Sequence, residues 1–189
     1  MRKFLVTLLM IIACFVLQTA FFRYFAFGGT VPNCLMIITC SSGIMRGEKH
    51  GLLAGFLAGL LVDIFFGNII GIYALLYMYA GFLSGLFHKI FFPENIILPL
   101  TLIIVCDFMY QFLCYVLLFL LRAKFDIGYY MMHQIIPEVV YTAIISLFLY
   151  PIILRINTKL DDIIQRSATK FVWWYKRGIS KIYYFQVHG

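Results

Sequence analysis

The chain has 189 residues, of which 63% are hydrophobic and only 12% belong to the charged types. Soluble domains are about 45–50% apolar and about 25% charged, so this composition excludes an ordinary soluble domain. The net charge of +7 is compatible with a nucleic-acid partner, but nearly half of the basic residues follow residue 154 and most of the others lie in short loops. This distribution indicates membrane topology rather than a phosphate-binding face.

The hydrophobic residues are grouped in continuous runs of bilayer-spanning length. Continuous runs favour helices, because a membrane β-barrel would need alternating polar and apolar residues. We therefore predict one all-α polytopic membrane domain over residues 1–154, with about six transmembrane helices. The predicted spans are residues 4–25, 31–45, 50–67, 69–88, 96–121 and 133–154.

The first two spans leave alternatives open. A basic N-terminus followed by an apolar run resembles a signal peptide, but the run continues past Cys14 to about Phe22, which favours an uncleaved span. The second span is short and opens with Pro32-Asn33, so it can cross fully, tilt or re-enter. The five cysteines lie in apolar runs without a Cys-x-x-Cys pair, and we expect them to act as small hydrophobic residues. No internal repeat stands out.

The placement of lysine and arginine predicts the orientation. With six spans, one side of the membrane holds Arg46, Lys49, Lys89, the basic N-terminus and the basic tail, whereas the other holds only Arg23, Arg122 and Lys124. The positive-inside rule then places both termini in the cytoplasm. Five spans would put the two termini on opposite sides and move most basic residues to the disfavoured side.

Residues 155–189 are too polar to span a membrane and mix seven basic residues with many aromatic ones. This composition is typical of an amphipathic segment on the anionic surface of the cytoplasmic leaflet. The plainer alternative is a solvated tail whose charge only fixes the orientation. We do not expect a nucleic-acid partner.

The third predicted span carries glycines at a strict spacing of four and ends in Asp63. Glycines spaced in this way lie near one helix face, where the backbone of another helix can approach closely. More glycines in the following turn and in the fourth span predict a tight hairpin and a close helix pair. The residues that we assign to helix packing are Gly51, Gly55, Gly59, Gly67, Gly71, Gly81 and Gly85.

Three acidic residues fall within the predicted spans, where an ionisable group costs about 2.5–3.5 kcal/mol at a helix centre. We expect polar residues near the outer side to converge on an outward-facing pocket for a partner or a ligand, with Arg23 pairing with Asp63 or Glu138. The alternatives are structural pairing, wet positions at the interface, and, for Asp107, an interhelical hydrogen bond. The candidate binding residues are Asp63, Glu138, Arg23, Asp107 and Gln111.

Motifs of known catalytic sites are missing from the sequence. It contains no G-x-S-x-G, no H-E-x-x-H and no Walker lysine motif. We therefore predict a protein that is not an enzyme, without catalytic residues, metal ion or cofactor. Proton-coupled transport stays open, because intramembrane carboxylates are its usual tools.

Several short motifs match the pattern of a known family, namely a glycine-rich span that ends in Gly-Leu-x-x-Asp and a glycine with a small-apolar pair after it. In these motifs residues 1–157 resemble the rod shape-determining protein MreD family of bacteria, although the tail is longer than the family usually carries. The matching residues are Val31-Pro32-Asn33, Gly59-Leu60-Leu61-Val62-Asp63, Gly71, Ala74-Leu75, Pro137 and Tyr150-Pro151.

The resemblance implies a non-catalytic scaffold of the cell-wall elongation complex in the bacterial cell membrane, which maintains rod shape by binding MreC and linking it to wall-synthesis proteins. The other implied partners are RodA, a class B penicillin-binding protein and MreB filaments, besides membrane lipid. The family's architecture also resembles the substrate-binding membrane subunits of energy-coupling-factor (ECF) transporters. A subunit that captures a vitamin-type small molecule is therefore the alternative function.

Overall fold

The computed structural model describes residues 2–22, 24, 30–67, 70–90, 96–118, 128 and 131–188, and within these the side chains of all but residues 2, 118, 165 and 167–188. Its main α-helices are α1 (Arg2–Val16), α2 (Cys34–Arg46), α3 (Glu48–Phe66), α4 (Ile72–Leu86), α5 (Ile97–Leu118) and α6 (Ile136–His188). A π-helical turn, Leu17–Phe21, extends α1, and a second one, Met131–Ile135, precedes α6.

Four helical segments of the described residues are long and apolar enough to cross a membrane, and they are Lys3–Phe21, Glu48–Phe66, Ile97–Leu117 and Met131–Ile164. Together with α2 and α4 they occupy the positions of the six predicted spans, which confirms the predicted all-helical membrane fold. With 13 and 15 residues, α2 and α4 are shorter than the roughly 20 residues of a full crossing.

The short helix α2 lies inside the protein rather than against lipid. Eleven of its residues, from Cys34 to Ile44, are buried, and it packs against α1, α3, α4 and α5. At its start, Asn33 caps the helix by accepting a hydrogen bond from the backbone N–H of Met36, as short polar residues do before a first turn. Burial by protein explains why this helix tolerates small polar residues such as Ser41, whose hydroxyl donates to the Ile37 carbonyl.

The closest helix pair is α3 with α4, which run antiparallel. A Cβ atom added to any glycine of the α3 series would overlap the backbone of α4, so this contact requires glycine. The facing residues are Gly51 with Gly81, Gly55 with Tyr77, and Gly59 with Ala74, and Gly85 lies against the start of α3 at Glu48. The series is thus covered by α4 in this fold.

The turn between α3 and α4 uses its two glycines differently. The N–H of Gly67 donates to the carbonyl of Asp63 at 3.0 Å, which closes the last turn of α3. Gly71 has a φ of 109°, a left-handed conformation that glycine adopts without a steric cost. No atom of the residues that the structure describes lies within 4 Å of a Cβ added there, so within this part of the chain Gly71 shapes the turn and does not pack between helices.

At the opposite end of the helices, two basic residues join neighbouring elements. Arg46 donates from Nη1 to the Lys3 carbonyl at 3.0 Å and to the Thr7 hydroxyl at 2.6 Å, and so ties the end of α2 to the start of α1. The His88 ring lies 2.7 Å from the Ile44 carbonyl near the end of α2. These side chains satisfy backbone and hydroxyl groups that lipid would leave unpaired.

The last helix is longer than the predicted sixth span. It contains 53 residues, and therefore does not end near residue 154. Pro137, which has no backbone N–H, lies where the π-helical turn Met131–Ile135 passes into α6. The chain divides into two compact units, Met1–Pro151 and Ile152–Gly189, and the site described next lies in the first.

Candidate functional site

A cleft opens in the first unit at the side where α1, α3 and α5 end and α2, α4 and α6 begin. It consists of two adjoining cavities with volumes of about 200 and about 630 Å³. We call it the polar cleft, and the residues that line both of its parts are Gln18, Val62, Phe66, Tyr73, Tyr110 and Glu138. The mixture of aromatic walls and a few polar groups is typical of sites that bind a ligand or a partner segment.

Asn33 forms the floor of the cleft and joins four helices. Its backbone N–H donates to Thr142 Oγ1 on α6 at 3.0 Å, and its Nδ2 donates to Asp107 Oδ1 on α5 at 3.0 Å. Its Oδ1 accepts from the Tyr77 hydroxyl on α4 at 2.6 Å, in addition to capping α2. A buried network with this many partners fixes the relative positions of the helices, because each broken bond would leave an unpaired polar group.

Asp107 lies behind Asn33, on the side away from the cleft, and binds its side chain. Its side chain is fully buried and does not line the cleft. One carboxyl oxygen binds Asn33, and the carboxyl also lies close to Thr142. The other oxygen, Oδ2, makes no hydrogen bond to any described residue. Asp107 therefore contacts the cleft only indirectly, through Asn33. This contact is an interhelical hydrogen bond, which was the alternative to a binding role for Asp107.

Glu138 and Gln111 line the cleft itself. The Gln111 side chain, which is buried on α5, lies close to the Glu138 carboxyl on α6. Glu138 is only partly buried, because it faces the open part of the cleft. Of the four candidate binding residues that the structure describes, these two offer polar groups to a ligand or partner.

Asp63 binds the start of α4. Its carboxylate accepts the backbone N–H of Tyr73 at 3.1 Å and of Ala74 at 2.8 Å, and its side chain is 1% exposed. These two N–H groups belong to the first turn of α4, where no carbonyl of the helix can accept them. Asp63 thus caps α4 from the end of α3, with the favourable placement of a negative charge at a helix N-terminus.

Arg23 lies outside the described residues, as does the turn residue Asn68. Its predicted pairing with Asp63 or Glu138 therefore stays a prediction. Within the described part of the chain, the Asp63 carboxylate already has two backbone partners.

Several residues of the site were not singled out by the sequence. Asn33 belongs to the Val31-Pro32-Asn33 motif of the family resemblance but is not among the candidate binding residues, although an asparagine before a helix is a typical cap signal. Gln18 accepts the Leu35 N–H at 3.3 Å and so completes the start of α2. The Tyr77 and Tyr110 rings, 4.8 Å apart between centroids, form an edge-to-face wall, and only the phenol groups within apolar runs could have indicated them.

The polar cleft can hold a polar or charged group of a ligand or partner between aromatic side chains. It offers a carboxyl, phenol hydroxyls and the side-chain amides of Gln18, Asn33, Gln111 and Gln134, and these groups can form hydrogen bonds that are strong away from water. Among the residues that the structure describes, no group of three or more His, Cys, Asp or Glu side chains could hold a metal ion.

Comparison with known proteins finds one family. The model of the family described as rod shape-determining protein MreD matches residues 1–159 of the chain. No curated protein and no solved structure matches the chain. The matched residues include all of the polar cleft and the α3–α4 pair.

Proposed function

The chain belongs to the MreD family of rod shape-determining proteins, and we propose that it is a non-catalytic membrane scaffold of the cell-wall elongation complex. Membership indicates a multi-pass membrane protein with a role in determining rod shape. The family match over residues 1–159 is the observation that carries the proposal.

The proposed principal partner is MreC, and the polar cleft is its proposed contact site. Glu138 and Gln111 line a cleft whose other walls combine aromatic, aliphatic and polar side chains. A polar group on a partner segment would therefore gain hydrogen bonds that lipid cannot supply. RodA, a class B penicillin-binding protein and MreB are the further proposed members of the assembly.

The glycine series of α3 is a poor candidate for a partner's span. In this fold α4 covers Gly51, Gly55 and Gly59, so a second helix could reach them only by displacing α4. We therefore place partner contact at the cleft and assign the glycines to the internal helix pair. If both termini are cytoplasmic, as the basic residues predict, the cleft opens in the outer half of the membrane.

Recovery of MreC with the tagged chain from a rod-shaped bacterium tests the proposal. Glu138→Gln should lower the recovered MreC about tenfold, the effect of losing one hydrogen bond to a charged group. Glu48→Gln is the matched control, since Glu48 is an exposed carboxylate at the opposite end of α3, and it should leave recovery unchanged. Gln111→Leu should resemble Glu138→Gln.

Two results would contradict different parts of this proposal. Full recovery of MreC by both cleft variants would remove the cleft as the contact site but leave the scaffold role. Absence of MreC and wall-synthesis proteins from the wild-type preparation would remove the proposed partners.

The size of the cleft favours one second candidate function, a small-molecule binding subunit of a transporter. A volume of about 630 Å³ falls within the range of about 300–1,000 Å³ of ligand pockets. Native mass spectrometry of the purified protein distinguishes the two functions. A bound vitamin-sized molecule that Glu138→Gln loses, together with ATP-binding-cassette subunits in the preparation, would favour transport.

A further inference from the structure

The last helix contains an eleven-residue repeat. The motif Arg-x-x-(Thr/Ser)-Lys occurs three times at this spacing, at residues 155–159, 166–170 and 177–181. The prediction that the chain has no internal repeat is therefore wrong in this segment. The second and third copies lie beyond residues 1–159, which match the family, so the family's function does not account for them.

The helical backbone turns this repeat into a continuous stripe. Because α6 runs without interruption from Ile136 to His188, the position of each residue around the helix follows from the register. Eleven residues make three turns at about 3.67 residues per turn, so each motif returns to the same side of the helix. The six basic residues of the stripe are Arg155, Lys159, Arg166, Lys170, Arg177 and Lys181.

The stripe is exposed where its exposure is described. Arg155, Lys159 and Arg166 are all exposed to solvent. Lys176, the seventh basic residue of the segment, falls on another side of the helix. The basic residues are therefore arranged by register and do not simply accumulate at the end of the chain.

A second, apolar stripe borders the basic one and follows the same repeat. Its positions are filled by aliphatic or aromatic residues in every copy, and they are Leu160, Phe171 and Ile182, and Ile163, Trp174 and Phe185. The small hydroxyl residues of the motif, Thr158, Thr169 and Ser180, border the basic stripe on its other edge, away from the apolar stripe. Parallel basic and apolar stripes are the pattern of a helix that lies in a membrane interface.

We propose that residues 155–185 form a surface helix that binds anionic lipid, with the basic stripe paired to headgroup phosphates and the apolar stripe among the upper acyl chains. Arginine and lysine next to tryptophan and tyrosine suit this boundary. The segment is about 45 Å long at 1.5 Å per residue, enough to contact several headgroups. A nucleic acid would engage the basic stripe but leave the apolar stripe without a partner.

The natural reporter for this proposal is tryptophan, because the chain has only two, Trp173 and Trp174. The full chain is placed in nanodiscs of phosphatidylcholine alone or with about 30% phosphatidylglycerol, and quenching of tryptophan emission by aqueous acrylamide is measured. We expect phosphatidylglycerol to lower the quenching, and about 0.5 M salt to restore it, because salt screens surface charges.

Matched single substitutions test the register. Each basic residue at an anionic surface contributes about fivefold to binding. Lys170→Gln should therefore lower the ratio of lipid-bound to free helix about fivefold, whereas Lys176→Gln, with the same change of charge less than two turns away, should change it less than twofold. Circular dichroism of both variants checks that the helix is kept.

Three outcomes would overturn the proposal. Quenching that does not depend on phosphatidylglycerol excludes binding to anionic lipid. Equal effects of Lys170→Gln and Lys176→Gln show that net charge acts and the stripe does not. Protection of the tryptophans by added polyuridylic acid, without any response to lipid, would assign the segment to nucleic acid.

Discussion

Replacing Asp63 with alanine should destabilise the α3–α4 hairpin without changing the lining of the polar cleft. The carboxylate accepts two backbone N–H groups of the first turn of α4. Hydrogen bonds to a charged group contribute about 1.5–3 kcal/mol each, and the loss of a helix cap costs about 0.5–2 kcal/mol. These values overlap and do not add, so we expect a loss of about 2–4 kcal/mol for Asp63→Ala. Asp63→Asn should cost about half as much, because an amide keeps one acceptor oxygen.

Unfolding in mixed micelles of mild detergent and dodecyl sulfate measures this loss, and hydrogen exchange of the first turn of α4 locates it. Glu48→Ala serves as the control, because Glu48 is exposed at the start of the same helix, and exposed substitutions usually change stability by less than about 0.5 kcal/mol. The cap assignment would be refuted if Asp63→Ala unfolded like the wild type, with unchanged exchange, and yet lost MreC. Asp63 would then be a partner-binding residue, as the sequence first suggested.

The remaining predictions concern the helix pair and the floor of the cleft. Gly55→Ala should lower the free energy of unfolding by about 1–3 kcal/mol in the same assay, because its Cβ would overlap the Tyr77 backbone. A stability equal to wild type would show that α3 and α4 separate easily. Gly71→Ala should cost only about 1 kcal/mol from its positive φ, since its Cβ meets no atom of the residues that the structure describes. Asn33→Leu should lower the free energy of unfolding by about 2–4 kcal/mol, because it leaves several buried groups unpaired. Asp107→Asn should lower it by less than about 1 kcal/mol, because the amide keeps the oxygen that accepts from Asn33. A larger loss for Asp107→Asn than for Asn33→Leu would contradict the proposed network.

The sequence was sufficient to predict the helices of the membrane domain. Long apolar runs can satisfy their backbone in lipid only as helices, whereas the charged residues from Arg155 onward did not mark the end of the last helix. The short second run was left open between crossing and re-entry. Its burial by other helices depends on tertiary packing. A local pattern of small polar residues carries no information about which helices surround that segment.

The floor of the cleft could not be predicted, because its contacts are distant in the chain. Asn33 binds Asp107 across 74 positions and Thr142 across 109. No spacing rule within one helix relates such residues. The sequence singled out Asp107 for its charge, and passed over Asn33 because a neutral amide at the start of a helix usually serves only as a cap.

The glycine series and Asp63 show a second limit of prediction from the sequence. The spacing of four correctly indicates a face for close helix contact, but it fits an internal helix or a partner's helix equally well. The acidic residue at the end of the series likewise fits a cap or a binding site. Only the position of α4, which supplies both the backbone facing Gly55 and the N–H groups facing Asp63, distinguishes the internal arrangement.

The same contacts narrow the choice of functional residues. A carboxylate within a bilayer is costly unless the protein or a partner offers it hydrogen bonds. Asp63 receives two from α4, and Asp107 receives one from Asn33. Glu138 lies close to the Gln111 side chain and faces open space in the cleft. Among these three acidic residues, Glu138 therefore gains most from a partner, and this difference directs the first binding experiment to Glu138 rather than to Asp63.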